Sequence, residues 1–265
     1  MTPDRVRAAY ARIAEVDRPE VWITLRPEED VLAEALAVDP ALPLARLLLA
    51  VKDNVDVAGL PTTAACPAFA STPEESAPAV ARLVAAGAVV LGKTNLDQFA
   101  TGLVGTRSPY GAVRDAFRPD HVSGGSSSGS AVAVALGIAD LAIGTDTAGS
   151  GRVPAAFGGI VGVKPTRGLV PNRGSVPACR TLDCVTVFAR DLAAASRAAG
   201  IMAGPDAADP LSRAFPVDAP LAAPPAPRVG VPDPAGLPGL TDAARAAFRA
   251  AAGRLRDAGA ELAPL

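Results

Sequence analysis

The chain has 265 residues, enough for one large domain or two small ones, and its 25 basic and 27 acidic residues give a net charge of −2. This balance gives no indication of the clustered positive charge that binds nucleic acid or anionic membranes, so we expect neither as a partner. The longest uncharged stretch, residues 122–139, is rich in Gly and Ser and is no candidate for a membrane span. The first residues lack the apolar run of a signal peptide, and we therefore expect a cytoplasmic protein.

Few residues of the chain suit metal or redox chemistry. Cys66, Cys179 and Cys184 form no disulfide framework and, with His121 as the one histidine, no zinc site, so we predict no metal and no cofactor. Cys179 and Cys184 lack the spacing of a redox pair and are interpreted as small buried side chains. We expect His121 to be a loop residue without a catalytic part. Lysine, unlike arginine, can act as a neutral amine base.

Helices and strands are predicted in alternation along the chain. Thr2-Pro3-Asp4 is typical of a helix start, with a capping residue, a proline in the first turn and an acid near the positive end of the dipole, and this helix runs to about Val16. Further helices are predicted over residues 27–39, 76–87, 130–136, 190–203 and 241–258. Apolar runs predict strands at residues 44–51, 88–91, 141–143 and 228–231, with another beginning near residue 260.

The alternation of helices and strands argues for an α/β fold. Residues 204–239 are dense in proline and are interpreted as a connector over the surface. Because the last predicted strand has just begun where the sequence stops, we expect a single domain over residues 1–265 that lacks its C-terminal part. An incomplete sheet edge favours association, and a homodimer is therefore among the expected assemblies.

Two familiar motifs match this sequence in letters but not in context. Residues 87–94 (GAVVLGKT) fit the phosphate-binding pattern GxxxxGK[ST], but the residues between the two glycines form the predicted strand itself and leave no loop to wrap a phosphate. Residues 125–129 (GSSSG) fit the GxSxG nucleophile elbow of α/β-hydrolases, in which the histidine follows the serine. His121 precedes the serine here, so both interpretations are rejected.

Lys52 and two loops rich in Gly and Ser form the remaining candidate constellation. Lys52 follows an apolar strand, and the loops span residues 123–130 and 145–152. Each feature alone is typical of an ordinary turn, or of a lysine with a buried stem. Together they offer a base, a nucleophile and an oxyanion site without histidine, which is the set that acyl transfer requires. Ser150 precedes a predicted helix start at Val153-Pro154, which would direct main-chain N–H groups at a developing oxyanion.

Three stretches of the sequence resemble the amidase signature family. They are VKDN (51–54), GGSSSGS (124–130) and GTDTAGSGR (144–152). The resemblance implies a mixed central β-sheet flanked by helices and a Ser–cis-Ser–Lys triad. It makes Lys52 the base, Ser126 the bridging serine after a cis peptide bond, and Ser150, which lies 24 positions further on, the nucleophile. It also implies an oxyanion hole formed by the N–H groups of Thr147, Ala148, Gly149 and Ser150, and a supporting loop with Gly124 and Gly125.

Within that family the chain is most similar to the allophanate hydrolases. The residues that carry this likeness lie in the ranges 51–70, 92–111, 144–157 and 173–185. It implies hydrolysis of allophanate, a small amide substrate, with release of ammonia in urea degradation, next to a urea carboxylase in the pathway. The sequence AGSGRVP around Ser150 departs from the GGSIRQP of tRNA amidotransferases, which disfavours that relative. A related amidase acting on another small amide, and an inactive truncated fragment, are the alternatives.

Two departures from the family bear on the mechanism. Arg46-Leu47-Leu48-Leu49 replaces a Gly and a Pro that usually shape the approach to the lysine. The residues that clamp the substrate in allophanate hydrolases come from a later part of the domain, and no position here matches them. As a base, Lys52 must lose its proton near pH 7, about three units below its ordinary pKa, and we expect burial behind residues 47–51 to cause this.

Overall fold

The computed structural model describes residues 3–218 and 224–265, and contacts divide the chain into two units, Met1–Phe215 and Pro216–Leu265. Every residue predicted for the site lies in the first unit. The single domain expected over residues 1–265 stays a prediction. Within the two described ranges, no helix has the length and apolar composition that crossing a membrane requires.

Helices and strands alternate through both units, as the sequence predicts. The helices of the first unit are α1 (Pro3–Val16), α2 (Glu28–Ala37), α3 (Pro78–Ala85), α4 (Ser128–Ala135), α5 (Arg152–Phe157) and α6 (Leu192–Met202). Its strands are β1 (Trp22–Leu25), β2 (Leu48–Lys52), β3 (Val89–Thr94), β4 (Leu141–Asp146), β5 (Val161–Val163) and β6 (Cys184–Ala189). The second unit contains β7 (Arg228–Val231), α7 (Asp242–Asp257) and β8 (Glu261–Pro264), and β7 pairs in parallel with β8. The predicted helices are confirmed, with ends that shift by a few residues.

A six-stranded mixed sheet in the order β1-β3-β2-β4-β6-β5 forms the centre of the first unit. β2 runs parallel to its neighbours β3 and β4. The outer strands are antiparallel to their neighbours, β1 to β3, β6 to β4 and β5 to β6. The mixed central sheet with flanking helices that the resemblance implies is therefore confirmed.

Two hydrophobic layers enclose the sheet, and β2 contributes to both of them. Leu48 and Ala50 pack in the layer that includes residues of α1, α2 and α4, whereas Leu49 and Val51 pack in the layer that includes residues of α3 and α6. This alternation follows from the two-residue period of a strand. Lys52 comes next, at the carboxyl end of β2, and the same period places its side chain on the face of Leu48 and Ala50, whose layer includes residues of α4.

Two parts of the strand prediction differ from the structure. Residues 44–47 form a turn instead of the start of a strand, because the N–H of Leu44 bonds to the carbonyl of Ala86 at 2.8 Å and Arg46 adopts a φ of 66°. β2 therefore begins at Leu48. β1, β5 and β6 lie outside the strands predicted from the sequence, although β6 (CVTVFA) has the β-branched and aromatic residues that are typical of a strand.

Gly92 and Lys93, the second glycine and the lysine of the rejected phosphate-binding motif, lie within β3. A Cβ atom on Gly92 would lie 2.2 Å from the carbonyl oxygen of Thr24, so this glycine allows β1 to approach β3 closely. Lys93 pairs with the carboxylate of Asp53, with 3.3 Å between Nζ and Oδ1. Both residues therefore have structural explanations.

The packing of Gly92 generates a prediction about stability. Gly92→Ala should lower the free energy of unfolding by about 3 kcal/mol or more, because the added methyl group overlaps main-chain atoms of β1. Gly200→Ala in α6, where no atom lies within 4 Å of the added Cβ, should raise it by about 0.5–1 kcal/mol. Urea unfolding of both variants measures the difference, and equal effects would contradict the packing argument.

Candidate active site

Lys52 is fully buried and its amine contacts two hydroxyl groups. Nζ lies 2.7 Å from Ser126 Oγ and 2.7 Å from Thr145 Oγ1. Ser126 belongs to the loop before α4, and Thr145 lies in β4, so the amine joins a loop on one side of β2 to the neighbouring strand. The sequence predicts the burial of Lys52 and its association with Ser126, but it gives no role to Thr145.

The charge of Lys52 is balanced between burial and nearby carboxylates. Burial lowers the pKa of Lys52 from 10.5 to about 7, because the ammonium loses its hydration, and this agrees with the expectation from the sequence. The carboxylates of Asp97, Asp146 and Asp183 act in the opposite direction and favour the ammonium. A lysine with a pKa near 7 can accept and return a proton at neutral pH, as general base catalysis requires.

The loop that carries Ser126 is held in place by main-chain contacts. The peptide bond between Gly125 and Ser126 is cis, as the resemblance implies. The carbonyl of Ser126 accepts a hydrogen bond from the N–H of Asp97 at 3.1 Å, and the N–H of Gly125 donates to the carbonyl of Leu103 at 2.9 Å. A Cβ atom on Gly125 would lie 2.2 Å from Asp97 Oδ2, and Gly124 has a φ of 77°, so both positions of the supporting loop require glycine.

Asp97 is a site residue that the sequence reasoning missed. Its buried carboxylate accepts hydrogen bonds from the N–H groups of Gly105, at 3.0 Å, and Arg107, at 2.8 Å. Asp97 therefore fastens residues 102–107 beside the loop of Ser126. It lies within one of the stretches that resemble allophanate hydrolases, and that likeness was the signal available in the sequence.

Ser150 lies next to the loop of Ser126 and is 3% exposed. Its carbonyl accepts a hydrogen bond from the N–H of Ser127 at 3.2 Å, which joins the two predicted loops. Its hydroxyl donates to the carbonyl of Gly102 at 3.5 Å, a long and weak contact, instead of bonding to Ser126. Catalytic hydrogen bonds are often long without substrate, so this geometry is compatible with a nucleophile that reorients on binding.

Asp146 organises the loop around Ser150. Its carboxylate accepts hydrogen bonds from the N–H groups of Gly149, at 2.8 Å, and of Gly151 and Arg152, both at 3.1 Å. The guanidinium of Arg152 adds two contacts of 2.9 Å. Although burial acts to raise it, the hydrogen bonds from Arg152 and Gly151 hold the pKa of Asp146 below its ordinary value. The charged carboxylate thus fixes the turn that presents Ser150.

These contacts involve one of the four N–H groups of the expected oxyanion hole, which stays a prediction. The N–H of Gly149 already donates to Asp146, so in this structure it does not point at a free site. Within the described ranges, the N–H groups of Thr147, Ala148 and Ser150 have no protein acceptor. The hydroxyl of Thr147 bonds to Asp183, which fixes the other side of the same turn.

The second buried lysine has a different environment from Lys52. Lys93 Nζ lies 3.3 Å from Asp53 Oδ1 and donates to Thr62 Oγ1 at 2.9 Å and to the carbonyl of Pro61 at 3.0 Å. Burial lowers the pKa of Lys93, and the adjacent charge of Asp53 opposes this. Because Lys93 has a carboxylate partner and Lys52 has hydroxyl partners, Lys52 is the better candidate for a base.

A cavity of about 440 Å³ lies beside Thr145. Polar side chains that line it include Asn54, Thr62, Thr145, Asn172, Arg180 and Asp183. Among the described residues, no group of His, Cys, Asp and Glu side chains is arranged to hold a metal ion.

The histidine and the cysteines lie outside this site. His121 is in an exposed loop, with its Nδ1 atom 2.9 Å from Asp120, as the sequence predicts for a loop residue. Cys184 is buried in β6, as predicted, but the prediction for Cys179 is wrong because its side chain is exposed. Cys179 lies in the turn before β6, where its N–H bonds to Asp183 and its side chain points to solvent.

The low pKa of Lys52 predicts a pH-dependent cost to stability. Between about pH 7 and 10.5 the unfolded lysine binds a proton that the folded one has lost, so wild-type stability rises with pH in this window, by about 5 kcal/mol. Lys52→Met removes this dependence, so its stability relative to wild type should be greatest near pH 7 and should decline as pH rises. Urea unfolding from pH 6.5 to 9.5 measures this, and parallel curves would contradict the burial of an amine.

Comparison with known proteins identifies the family of this chain. The Amidase family model matches residues 4–265. The urea amidolyase of Saccharomyces cerevisiae is 54% identical over 199 residues, which are 73% of this chain and 11% of that protein. A glutamyl-tRNA(Gln) amidotransferase subunit from Thermus thermophilus is 45% identical over 218 residues, 82% of this chain and 46% of the relative.

Solved structures give the same result. The allophanate hydrolase of Kluyveromyces lactis superposes with a TM-score of 0.90 and 43% identity, over 100% of this chain and 45% of that one. The chain therefore spans less than half the length of each of these relatives. Since the family model covers nearly the whole chain and the fold agrees throughout, the chain belongs to the amidase family.

Proposed function

We propose that the chain acts as an amide hydrolase in which Lys52, Ser126 and Ser150 form a Ser–cis-Ser–Lys triad, with allophanate as the substrate. The observation that carries this proposal is the 2.7 Å contact between Lys52 Nζ and Ser126 Oγ in a fully buried site. Burial brings the pKa of this lysine to about 7, which suits a base that works at neutral pH.

The first step of the proposed reaction forms an acyl-enzyme. Neutral Lys52 takes the hydroxyl proton of Ser126, and Ser126 takes the hydroxyl proton of Ser150. At the same time, Ser150 Oγ attacks the amide carbonyl carbon. The carbonyl oxygen becomes an oxyanion, which accepts hydrogen bonds from the free N–H groups of the turn at residues 147–150. The proton then returns from Lys52 through Ser126 to the nitrogen, the C–N bond breaks and ammonia leaves.

The second step regenerates the enzyme. Water attacks the ester carbonyl on Ser150 and gives its proton to Lys52 through Ser126. The tetrahedral intermediate collapses, the bond to Ser150 Oγ breaks, and the serine recovers its proton by the same route. Each group ends the cycle in its starting protonation state, and the net reaction adds one water to one amide bond.

Allophanate is proposed as substrate on the strength of the relatives. Urea amidolyases of S. cerevisiae and Lachancea kluyveri are 54% and 56% identical over the matched residues, and the allophanate hydrolase of K. lactis has the same fold. A urea carboxylase would then supply the substrate as the preceding activity in the pathway. The matched subunit of the glutamyl-tRNA(Gln) amidotransferase of T. thermophilus is 45% identical, and this likeness supports the second candidate, a related amidase with another small amide substrate.

Ammonia release tests the triad and the substrate together. The purified chain should release ammonia from allophanate, and Ser150→Ala and Lys52→Met should each lower the rate on the order of a thousandfold or more, because they remove the nucleophile and the base. Ser196→Ala, at an exposed position of α6, is the matched control and should keep the wild-type rate.

The outcomes of this experiment separate the alternatives. Release from another small amide, with glutamine as the probe, but not from allophanate would favour the second candidate. A Ser150→Ala variant as active as the wild type would contradict the triad. A folded wild-type chain that releases ammonia from neither substrate would contradict the proposed activity of this chain.

The pKa of Lys52 also predicts the pH dependence of the rate. Because only the neutral amine accepts a proton, the rate should rise with pH through about 7 and fall about tenfold for each pH unit below that value. Steady-state rates from pH 5.5 to 8.5 measure this profile. A profile that is flat across this range would contradict Lys52 as the base.

A further inference from the structure

Thr145 contacts the amine of Lys52 as closely as Ser126 does. Thr145 Oγ1 and Ser126 Oγ each lie 2.7 Å from Nζ, and the side chain of Thr145 is almost fully buried. The proposed triad gives a role to Ser126 and none to Thr145. Because Thr145 is in β4 and Ser126 in the loop before α4, the two hydroxyls reach Nζ from different elements.

The side chain of Asn54 determines how the hydroxyl of Thr145 is used. The main-chain N–H of Val176 donates to the main-chain carbonyl of Asn54 at 2.8 Å, and Asn54 Nδ2 donates to the main-chain carbonyl of Val176 at 3.1 Å. Because a carbonyl oxygen only accepts, the side-chain nitrogen of Asn54, and not its oxygen, faces Val176. The same Nδ2 lies 3.4 Å from Thr145 Oγ1. The hydroxyl oxygen therefore has an N–H donor on each of its two lone pairs, one from Asn54 and one from Lys52.

This arrangement makes Thr145 an acceptor toward Lys52. With both lone pairs in use by N–H donors, the hydroxyl proton of Thr145 is directed away from Nζ. A neutral amine has two hydrogens and one lone pair, and only the lone pair can take a proton. An acceptor that holds one hydrogen restricts where the lone pair can point.

We propose that Thr145 sets the direction of proton transfer, because it accepts an N–H hydrogen of Lys52 and so turns the lone pair of the neutral amine toward Ser126. The proposal rests on the proposed triad. In the forward step Ser150 gives its proton to Ser126 and Ser126 gives its own to Nζ, which becomes an ammonium. Thr145 neither gains nor loses a proton, so it is a positioning residue.

Thr145→Val tests this proposal with little change of shape. An ammonium gains more from a hydrogen-bond acceptor than an amine does, so loss of Oγ1 should lower the pKa of Lys52 by about one unit. The carboxylates that face Lys52, those of Asp97, Asp146 and Asp183, are unchanged in the variant. The turnover number should fall about tenfold with nearly unchanged KM, and the acid limb of the pH–rate profile should move to lower pH.

Two further variants separate positioning from packing. Thr145→Ser keeps the hydroxyl and should restore the wild-type pKa and rate. Thr186→Val is the matched control, because Thr186 is also a buried strand threonine and its hydroxyl has no partner among the described residues, so this variant should behave like the wild type. A Thr145→Val variant that titrates like the wild type, or a Thr145→Ser variant that fails to restore the pKa, would overturn the proposal.

The titration is independent of catalysis. The sequence contains three lysines, Lys52, Lys93 and Lys164, so NMR of ¹³C-labelled lysine side chains resolves the Lys52 amine directly. If the wild-type chain hydrolyses no amide, the proposed function fails, but the shift in Thr145→Val still decides whether Thr145 holds the amine. If the chain is active and the shift is missing, the proposal about Thr145 fails alone.

Discussion

The burial of one amine at the end of β2 is the constraint on which the site depends. β2 is an interior strand with partners on both sides, and every residue in it is buried. The side chain of Lys52 at its carboxyl end has no contact with bulk water, so its charge is costly and its pKa falls. The same interior position lets Nζ reach hydroxyls from two different elements. Position in the sheet thus determines both the protonation and the contacts of Lys52.

The carboxylates around Lys52 have two physical effects at once. Asp97 and Asp146 each accept several main-chain N–H hydrogen bonds, and Asp183 accepts those of Ala178 and Cys179. These bonds fix the loops that hold Ser126 and Ser150. Because the three carboxylates also favour the ammonium, they oppose the effect of burial on Lys52. Burial therefore lowers the pKa of Lys52 to about 7, and the carboxylates that shape the loops limit this decrease.

The sequence was informative where local patterns or family motifs carry the signal. The helices, the strands β2, β3 and β4 and the candidate residues Lys52, Ser126 and Ser150 follow from such patterns, and the structure brings the lysine and the serine loops together. The engagement of Gly149 by Asp146 and the contact of Thr145 with Lys52 depend on side-chain geometry, which no spacing encodes. The turn at residues 44–47 depends on a long-range hydrogen bond to Ala86, and an apolar run alone does not reveal it.

The two buried lysines show how the nearest partner decides what a buried amine can do. Lys93 has the carboxylate of Asp53 beside it, which stabilises a charge, whereas the nearest partners of Lys52 are neutral hydroxyls. Asp53 follows Lys52 directly in the chain, and its N–H donates to the carbonyl of Thr94, next to Lys93. The ion pair of Lys93 therefore anchors the residue that follows the candidate base. One lysine holds the main chain in place, and the other is left free of a counter-ion in direct contact.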